Sequence, residues 1–178
     1  MNYQDINART IDRWIEAGWK WGTPISHEIY QAAERGQWDV LLTPTKTVPH
    51  AWFGELRGKR VLGLASGGGQ QMPIFTALGA ECTVLDYSEK QLESERMVSQ
   101  REGYDIRILR ADMSKPLPFE DDEFDLIFHP VSNCYVREAC DELCGQVHAE
   151  PVQCIGKRFV IYRPARKPVI DLDEIVKR

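Results

Sequence analysis

The chain has 178 residues, 43% hydrophobic and 28% charged, a balance that suits one globular domain and excludes a disordered chain. No apolar run approaches the roughly 20 residues of a spanning helix, and the first residues lack the apolar stretch of a secretory signal, so neither a membrane nor an export role is expected. A net charge of −5, with basic residues grouped only in residues 158–167, disfavours a nucleic-acid partner, and five cysteines without a signal segment lead us to expect reduced thiols and a cytoplasmic setting.

In chain order, residues 1–57 read as a tryptophan-rich helical cap segment. Ile11, Trp14, Ile15 and Gly18 share one helical face, and Ser26 is an N-cap for a second helix that ends at Arg35 with Gly36 beyond it. Residues 42–49, with two prolines and three threonines, read as a loop. Residues 58–136 then alternate strand and helix. Residues 60–65 suit a buried parallel strand, 72–78 a helix with Pro73 in its first turn, and 82–85 a second strand. Ser88 caps a long helix, with Gln91 completing a capping box, that ends near Gly103; residues 106–109 and 124–128 are further strands. This alternation predicts an α/β fold with a Rossmann-like, mostly parallel sheet and flanking helices. Residues 137–178 are an atypical tail of the same domain, with a helix over 136–148 and a fifth strand over 158–162.

The chemistry concentrates at three strand ends. Val61-Leu62-Gly63-Leu64-Ala65-Ser66-Gly67-Gly68-Gly69-Gln70-Gln71 is a strand that turns into a helix through three glycines, where bare backbone can approach a ligand. Asp86 ends the second strand, 17 residues after Gly69, placed to accept from both hydroxyls of a ribose. Asp112, in Arg110-Ala111-Asp112-Met113, follows the third strand, where a carboxylate can accept the exocyclic amine of adenine. An open α/β sheet binds its ligand at these carboxyl ends. A dinucleotide fingerprint would run Gly67, Gly69 and then glycine at 72, but Met72 stands there, so a nicotinamide cofactor takes second place.

LASGGGQQ, VLDYSEKQL and RADMSKPLPFEDDEFDLIFHPVSN, preceded by TIDRWIEAGWKWGTPISHE, together resemble the class I S-adenosylmethionine-dependent methyltransferases over residues 7–136. The resemblance implies S-adenosylmethionine as cofactor, S-adenosylhomocysteine as product and a small-molecule methyl acceptor. It implies that Gly67 and Gly69 pass under the methionine part, with Ala65 also in the cofactor-binding set, that Asp86 holds the ribose and that Tyr87 lies against adenine. Asp112 and Met113 would contact adenine, and His129 would face cofactor and substrate. The sequence departs from the pattern at Gly63, where the family often has an acid, and at Ala65, where it has glycine. Residues 140–178 also show no Pro-Gly-Gly turn and too few residues for the family's last hairpin. A truncated or frame-shifted tail is therefore expected, which leaves open a binding-only, catalytically impaired protein. An exposed sheet edge of that kind would also invite a homodimer.

His129 and Tyr135 are the candidates to steer or deprotonate the acceptor, with Ser132 and Asn133 as polar contacts against the alternative of turn chemistry. Trp14, Trp19, Trp21 and Trp38 read as packing residues, Trp19 and Trp21 being the ones most able to line a sulfonium site. Cys140, Cys144 and His148 fall on one helical face, yet no paired C-x-x-C accompanies them, and no metal is expected.

Overall fold

The computed structural model of the chain describes residues 2–43, 46–130, 132, 149–154 and 159–164. Helix α1 (Tyr3–Glu16) opens it, followed by a 3-10 turn at Lys20–Gly22, helix α2 (His27–Glu34) and the short strands β1 (Leu41–Thr43) and β2 (Lys46–Thr47). Strand β3 (Arg60–Leu64), helix α3 (Met72–Ala77), strand β4 (Glu81–Asp86), helix α4 (Glu89–Glu102) and strand β5 (Arg107–Arg110) form the alternating core. Strands β6 (Leu126–Pro130), β7 (Ala149–Cys154) and β8 (Phe159–Pro164) complete it.

The main sheet has the order β5-β4-β3-β6-β8-β7. The first four strands are parallel: β3 lies between β4 (Val61 opposite Cys82, Leu64 opposite Leu85) and β6 (Val61 opposite Leu126). Asp86 stands opposite Arg110 at the β4–β5 edge, so the ends of β3, β4 and β5 are neighbours. Chain order reverses between β3 and β6, which makes the β3 end a topological switch point.

Side chains of β3 and β4 alternate between two buried clusters, as the strand period of two requires. Val61, Cys82 and Val84 join Met72, Phe75, Leu92 and Phe128 on the face covered by α2, α3 and α4. Leu62, Leu64 and Leu85 join Met113, Phe124 and Ile127 on the other. Trp52, Phe53 and Leu56 close the first cluster from the N-terminal segment, and Trp38 stacks on His50 and meets Phe53 and Phe75 edge-on.

Helix ends follow their capping chemistry. Asn2 and Asp5 form a capping box on α1, and Ser26 accepts from the Ile29 amide to start α2. Ser88 accepts from the Gln91 amide to start α4, which stops at Gly103 in the left-handed region. The capping box expected there is not closed by Gln91: Asp86 Oδ1 takes the Ser88 amide at 2.9 Å instead. The segment read as a loop over 42–49 contains a small antiparallel pair, β1 with β2.

The tail differs more. The strand expected over 158–162 is present as β8, but it runs antiparallel to β6, with Phe128 opposite Ile161. It also pairs antiparallel with β7, so a terminal hairpin exists where the residue count suggested none. Pro151 sits in β7, the last strand of the sheet order, beside a register shift, as an edge strand permits. The helix expected over 136–148 lies outside the described residues, as do Asn133, Cys134, Tyr135, Cys140, Cys144 and His148. Among the described residues no helix is long and apolar enough to cross a membrane.

Candidate functional site

The glycine loop is tied down at each residue. Ala65 leaves β3 with a φ of +47°, a conformation uncommon outside glycine, and its amide donates to the Leu85 carbonyl at 2.7 Å. Ser66 Oγ donates to Gln71 Oε1, and the Gly67 amide donates to Asp86 Oδ2 at 3.0 Å. The Gly68 amide donates to the Gln91 carbonyl at 2.9 Å, and the Gly69 amide to Glu95 Oε1 at 2.8 Å. From the other side, the Ile25 amide donates to the Gly69 carbonyl at 2.8 Å.

Close approach by α4 explains much of the glycine content. A Cβ on Gly67 would stand 2.7 Å from Gln91 Cβ and 3.0 Å from Asp86 Oδ2. One on Gly69 would meet Val98 Cγ2 at 2.8 Å, and its φ of +66° already favours glycine. Sequence reasoning assigned these glycines to ligand approach; the structure adds a helix that fills the space behind them. Gly63 has a partner of the same kind, since a Cβ there would lie 2.7 Å from Met72 Sδ. Met72 is fully buried, so the departures at 63 and 72 are two halves of one packing contact.

Two acids stand at the adjoining strand ends. Asp86 is 9% exposed, and its two oxygens accept from the Gly67 and Ser88 amides. Burial pushes its carboxyl upward, against the amides of Ser88, Gly67 and Tyr87, which hold it down. The Ala111 amide donates to the Asp86 carbonyl, so the ends of β4 and β5 are fastened together. Asp112 accepts the Ser114 amide and hydroxyl, both on Oδ1, and Oδ2 has no hydrogen-bond partner among the described residues.

The remaining candidates divide. Tyr87 donates its hydroxyl to Asp5 Oδ1 at 3.0 Å, which raises its pKa, and the Arg110 guanidinium lies 5.2 Å above its ring. Met113 is buried in the second cluster, so its side chain supports the β5 end from below. His129 is fully buried, and its Nδ1 donates to the Leu64 carbonyl at 2.6 Å. Ser132 Oγ donates to the Ala65 carbonyl at 2.7 Å. Asn133 and Tyr135 are not among the described residues.

Helix α1 lies across these ends. Gln4 donates to Ser114 Oγ at 2.9 Å, Asp5 accepts from Tyr87, and Asp12 Oδ1 accepts from Ser88 Oγ at 2.6 Å. The segment after α1 is fixed to the glycine loop through Gln70, which donates to the carbonyls of Lys20 and Thr23. Trp14 and Trp19 pack on each other, Trp14 being 43% exposed, and Lys20 sits over Trp21. The face read from Ile11, Trp14, Ile15 and Gly18 is thus not wholly inward; Ala8 is the side chain of α1 that is buried.

Sequence reasoning missed Glu95 and the polar contacts of α1. The signal for Glu95 was there: Leu92, Glu95 and Val98 recur every third residue on the buried face of α4.

Comparison with known proteins agrees with this geometry. Residues 62–148 match the family model of a methyltransferase domain. Over 131 residues the chain is 43% identical to YbaJ of Bacillus subtilis (strain 168), named an uncharacterized methyltransferase; the match covers 74% of this chain and 51% of that protein. The chain therefore spans about half the length of the curated relative it matches. A solved S-adenosylmethionine-dependent methyltransferase from Mesorhizobium loti is 33% identical, with a TM-score of 0.48 over 55% of this chain and 44% of that one. Phosphoethanolamine N-methyltransferase 1 of Haemonchus contortus, solved with phosphoethanolamine and S-adenosylhomocysteine, is 13% identical with a TM-score of 0.51, covering 76% of this chain and 27% of that one. That last likeness speaks for the fold. Over residues 62–148 the chain is thus similar to the methyltransferase-domain family, carried on a mostly parallel, Rossmann-like sheet of the kind that the class I S-adenosylmethionine-dependent methyltransferases share.

Proposed function

We propose that the chain binds S-adenosylmethionine across the ends of β3, β4 and β5 and directs methyl transfer to a small-molecule acceptor. The observation that carries this reading is the bond from the Gly67 amide to Asp86, which locks a bare backbone turn and a carboxylate into one surface. Gly67 and Ser88 amides hold one Asp86 oxygen each, which fixes the carboxylate at the strand end where ribose hydroxyls would donate to it. On the next strand end Asp112 Oδ2 is the acceptor for the adenine amine. The residues present therefore fit an adenosine.

They fit a cation better than a pyrophosphate. Asp5, Asp12, Asp86 and Asp112 gather around Tyr87 and Ser88, a field that attracts a sulfonium and repels phosphates. Met72, at the third fingerprint position, also departs from the dinucleotide pattern. When bound, S-adenosylmethionine would supply an electrophilic methyl group, which a nucleophile attacks in line as S-adenosylhomocysteine leaves. This chain's residues contribute position and orientation. Burial and the bond from Nδ1 to the Leu64 carbonyl support a positioning role for His129 at the β3 end, and they make Nε2 its basic nitrogen for the acceptor. Tyr135 stays a candidate for acceptor contact. The acidic net charge suits a small acceptor better than a nucleic acid, and a cytoplasmic setting suits the free buried thiol of Cys82.

Calorimetry with S-adenosylhomocysteine tests the binding half of this reading, and stabilisation by NAD but not by S-adenosylhomocysteine would overturn it. Methyl release on a panel of small acceptors tests the catalytic half. Binding without turnover on every acceptor identifies a catalytically impaired protein instead.

A further inference from the structure

The glycine loop hangs between two carboxyl groups, and only Asp86 belongs to the strand ends. The other, Glu95, comes from the middle of α4 and accepts the Gly69 amide at 2.8 Å. Glu95 is fully buried, and its Oε2 has no hydrogen-bond partner among the described residues. Leu92 and Val98 flank it on the same helical face, so packing alone would favour another apolar side chain there. The acid makes sense through what it holds. Val98 and the Ser94 carbonyl leave no room for a Cβ on Gly69, so loop and helix touch at this point and the Glu95 bond sets how the loop sits.

The surroundings favour the uncharged form. Desolvation, with a smaller push from Asp86, raises the Glu95 carboxyl to about 8, against the Gly69 amide, which lowers it. The titratable groups that interact with it are Asp86 and Cys82 of β4 and Tyr104 beyond α4. None is a cation. The Cys82 thiol is pushed to about 12 and the Tyr104 hydroxyl is raised, both chiefly by burial, so neither favours a charge on Glu95.

We propose that Glu95 is a positioning residue for the cofactor: by holding the Gly69 amide it fixes the glycine loop in the shape that receives the methionine portion. This rests on the cofactor reading above and extends it to a residue that does not itself reach the ligand. The protonated carboxyl accepts through its carbonyl oxygen, so Glu95 holds the loop without adding a buried negative charge beside it.

The experiment compares the full chain with Glu95→Gln and Glu95→Leu by hydrogen exchange at the Gly69 amide and by calorimetry with S-adenosylhomocysteine. Glutamine keeps a carbonyl acceptor, so at about pH 6.5 it should protect Gly69 and bind within about threefold of the parent. Leucine should melt no lower than the parent yet expose Gly69 and weaken binding at least about tenfold, a split that a purely structural role would not produce. From about pH 7 to 9.5 the parent should lose affinity relative to Glu95→Gln as a buried charge forms on Glu95. Stability has the same sign. The folded chain keeps a proton on Glu95 that the unfolded chain releases near 4.5, so the melting temperature should fall as pH rises towards about 8, and Glu95→Gln should flatten that slope.

Unchanged Gly69 exchange and unchanged affinity in Glu95→Leu overturn the proposal, and so does a tenfold loss in Glu95→Gln, about the effect reserved for losing the bond. Should Glu95→Leu fail to fold, parallel pH profiles for the parent and Glu95→Gln overturn it. If the parent itself does not bind S-adenosylhomocysteine, the cofactor reading falls, while Gly69 exchange still decides whether Glu95 holds the loop.

Discussion

Helices α1 and α4 each have fourteen residues and pack on each other, yet they are attached to the site in opposite ways. Helix α4 buries Leu92, Glu95 and Val98 and reaches the glycine loop at van der Waals distance. Helix α1 buries Ala8 and reaches the loops after β4 and β5 through Gln4, Asp5 and Asp12, polar side chains that water can replace. The floor of the site is thus built into the core and the cover is laid on it. Of the two, α1 is the one that can leave without opening the core.

Damage to the floor should cost most. Gly69→Ala forces a Cβ against Val98 and the Ser94 carbonyl at a positive φ. A loss of about 3 kcal/mol is expected from the two effects together, read as a melting temperature lower by roughly 10 °C. An unchanged melting temperature would mean that α4 stands further from the loop than the contact implies. Asp86→Ala comes next. It removes an acceptor from the Gly67 and Ser88 amides and from the ribose, and should weaken S-adenosylhomocysteine binding by about 1–3 kcal/mol in calorimetry. An affinity equal to the parent's would place the ribose elsewhere.

The cover should respond more mildly and in a different quantity. Asp12→Ala deletes the acceptor for Ser88 Oγ at the end of α1 nearest α4. About 1 kcal/mol of stability should go, and stopped-flow measurements should find association and dissociation of S-adenosylhomocysteine both faster, with the dissociation constant changed less than about threefold. A change confined to dissociation would show that α1 contacts the ligand instead of gating it.

The same contrast governs what could be read from the sequence. The alternating core was legible because buried parallel strands carry apolar runs, and because Ser26, Ser88, Gly36 and Gly103 mark helix ends by local chemistry. Asp86 and Asp112 were legible because strand ends can be counted. The spacing of Leu92, Glu95 and Val98 signalled the burial of Glu95 but not its role, which depends on which side of α4 meets the loop, a fact of packing. Gly63 looked like a lost acid until Met72, nine residues on, was found in the space. The direction of β8 was likewise hidden: an apolar run such as residues 159–162 fits a parallel or an antiparallel neighbour equally, and only the hairpin with β7 decides it.

Ala65 tests the floor from its other end, with the smallest effect expected. It stands in the left-handed region without being glycine, at the point where β3 gives way to the loop. Replacing it with glycine removes a backbone cost of roughly 1–2 kcal/mol and adds chain entropy worth about 0.4–1 kcal/mol to the unfolded state. Its methyl packs partly against the cluster of Leu62, Leu64 and Leu85, which offsets some of the remainder. Ala65→Gly should therefore be neutral to slightly stabilising, within about 1 kcal/mol by thermal unfolding, where Gly69→Ala is strongly destabilising. The opposite signs follow from what lies behind each residue: a half-filled edge of the second cluster at 65, and the side chain of Val98 at 69. A clear destabilisation by Ala65→Gly would mean that the methyl group, not the backbone turn, holds the end of β3 in place.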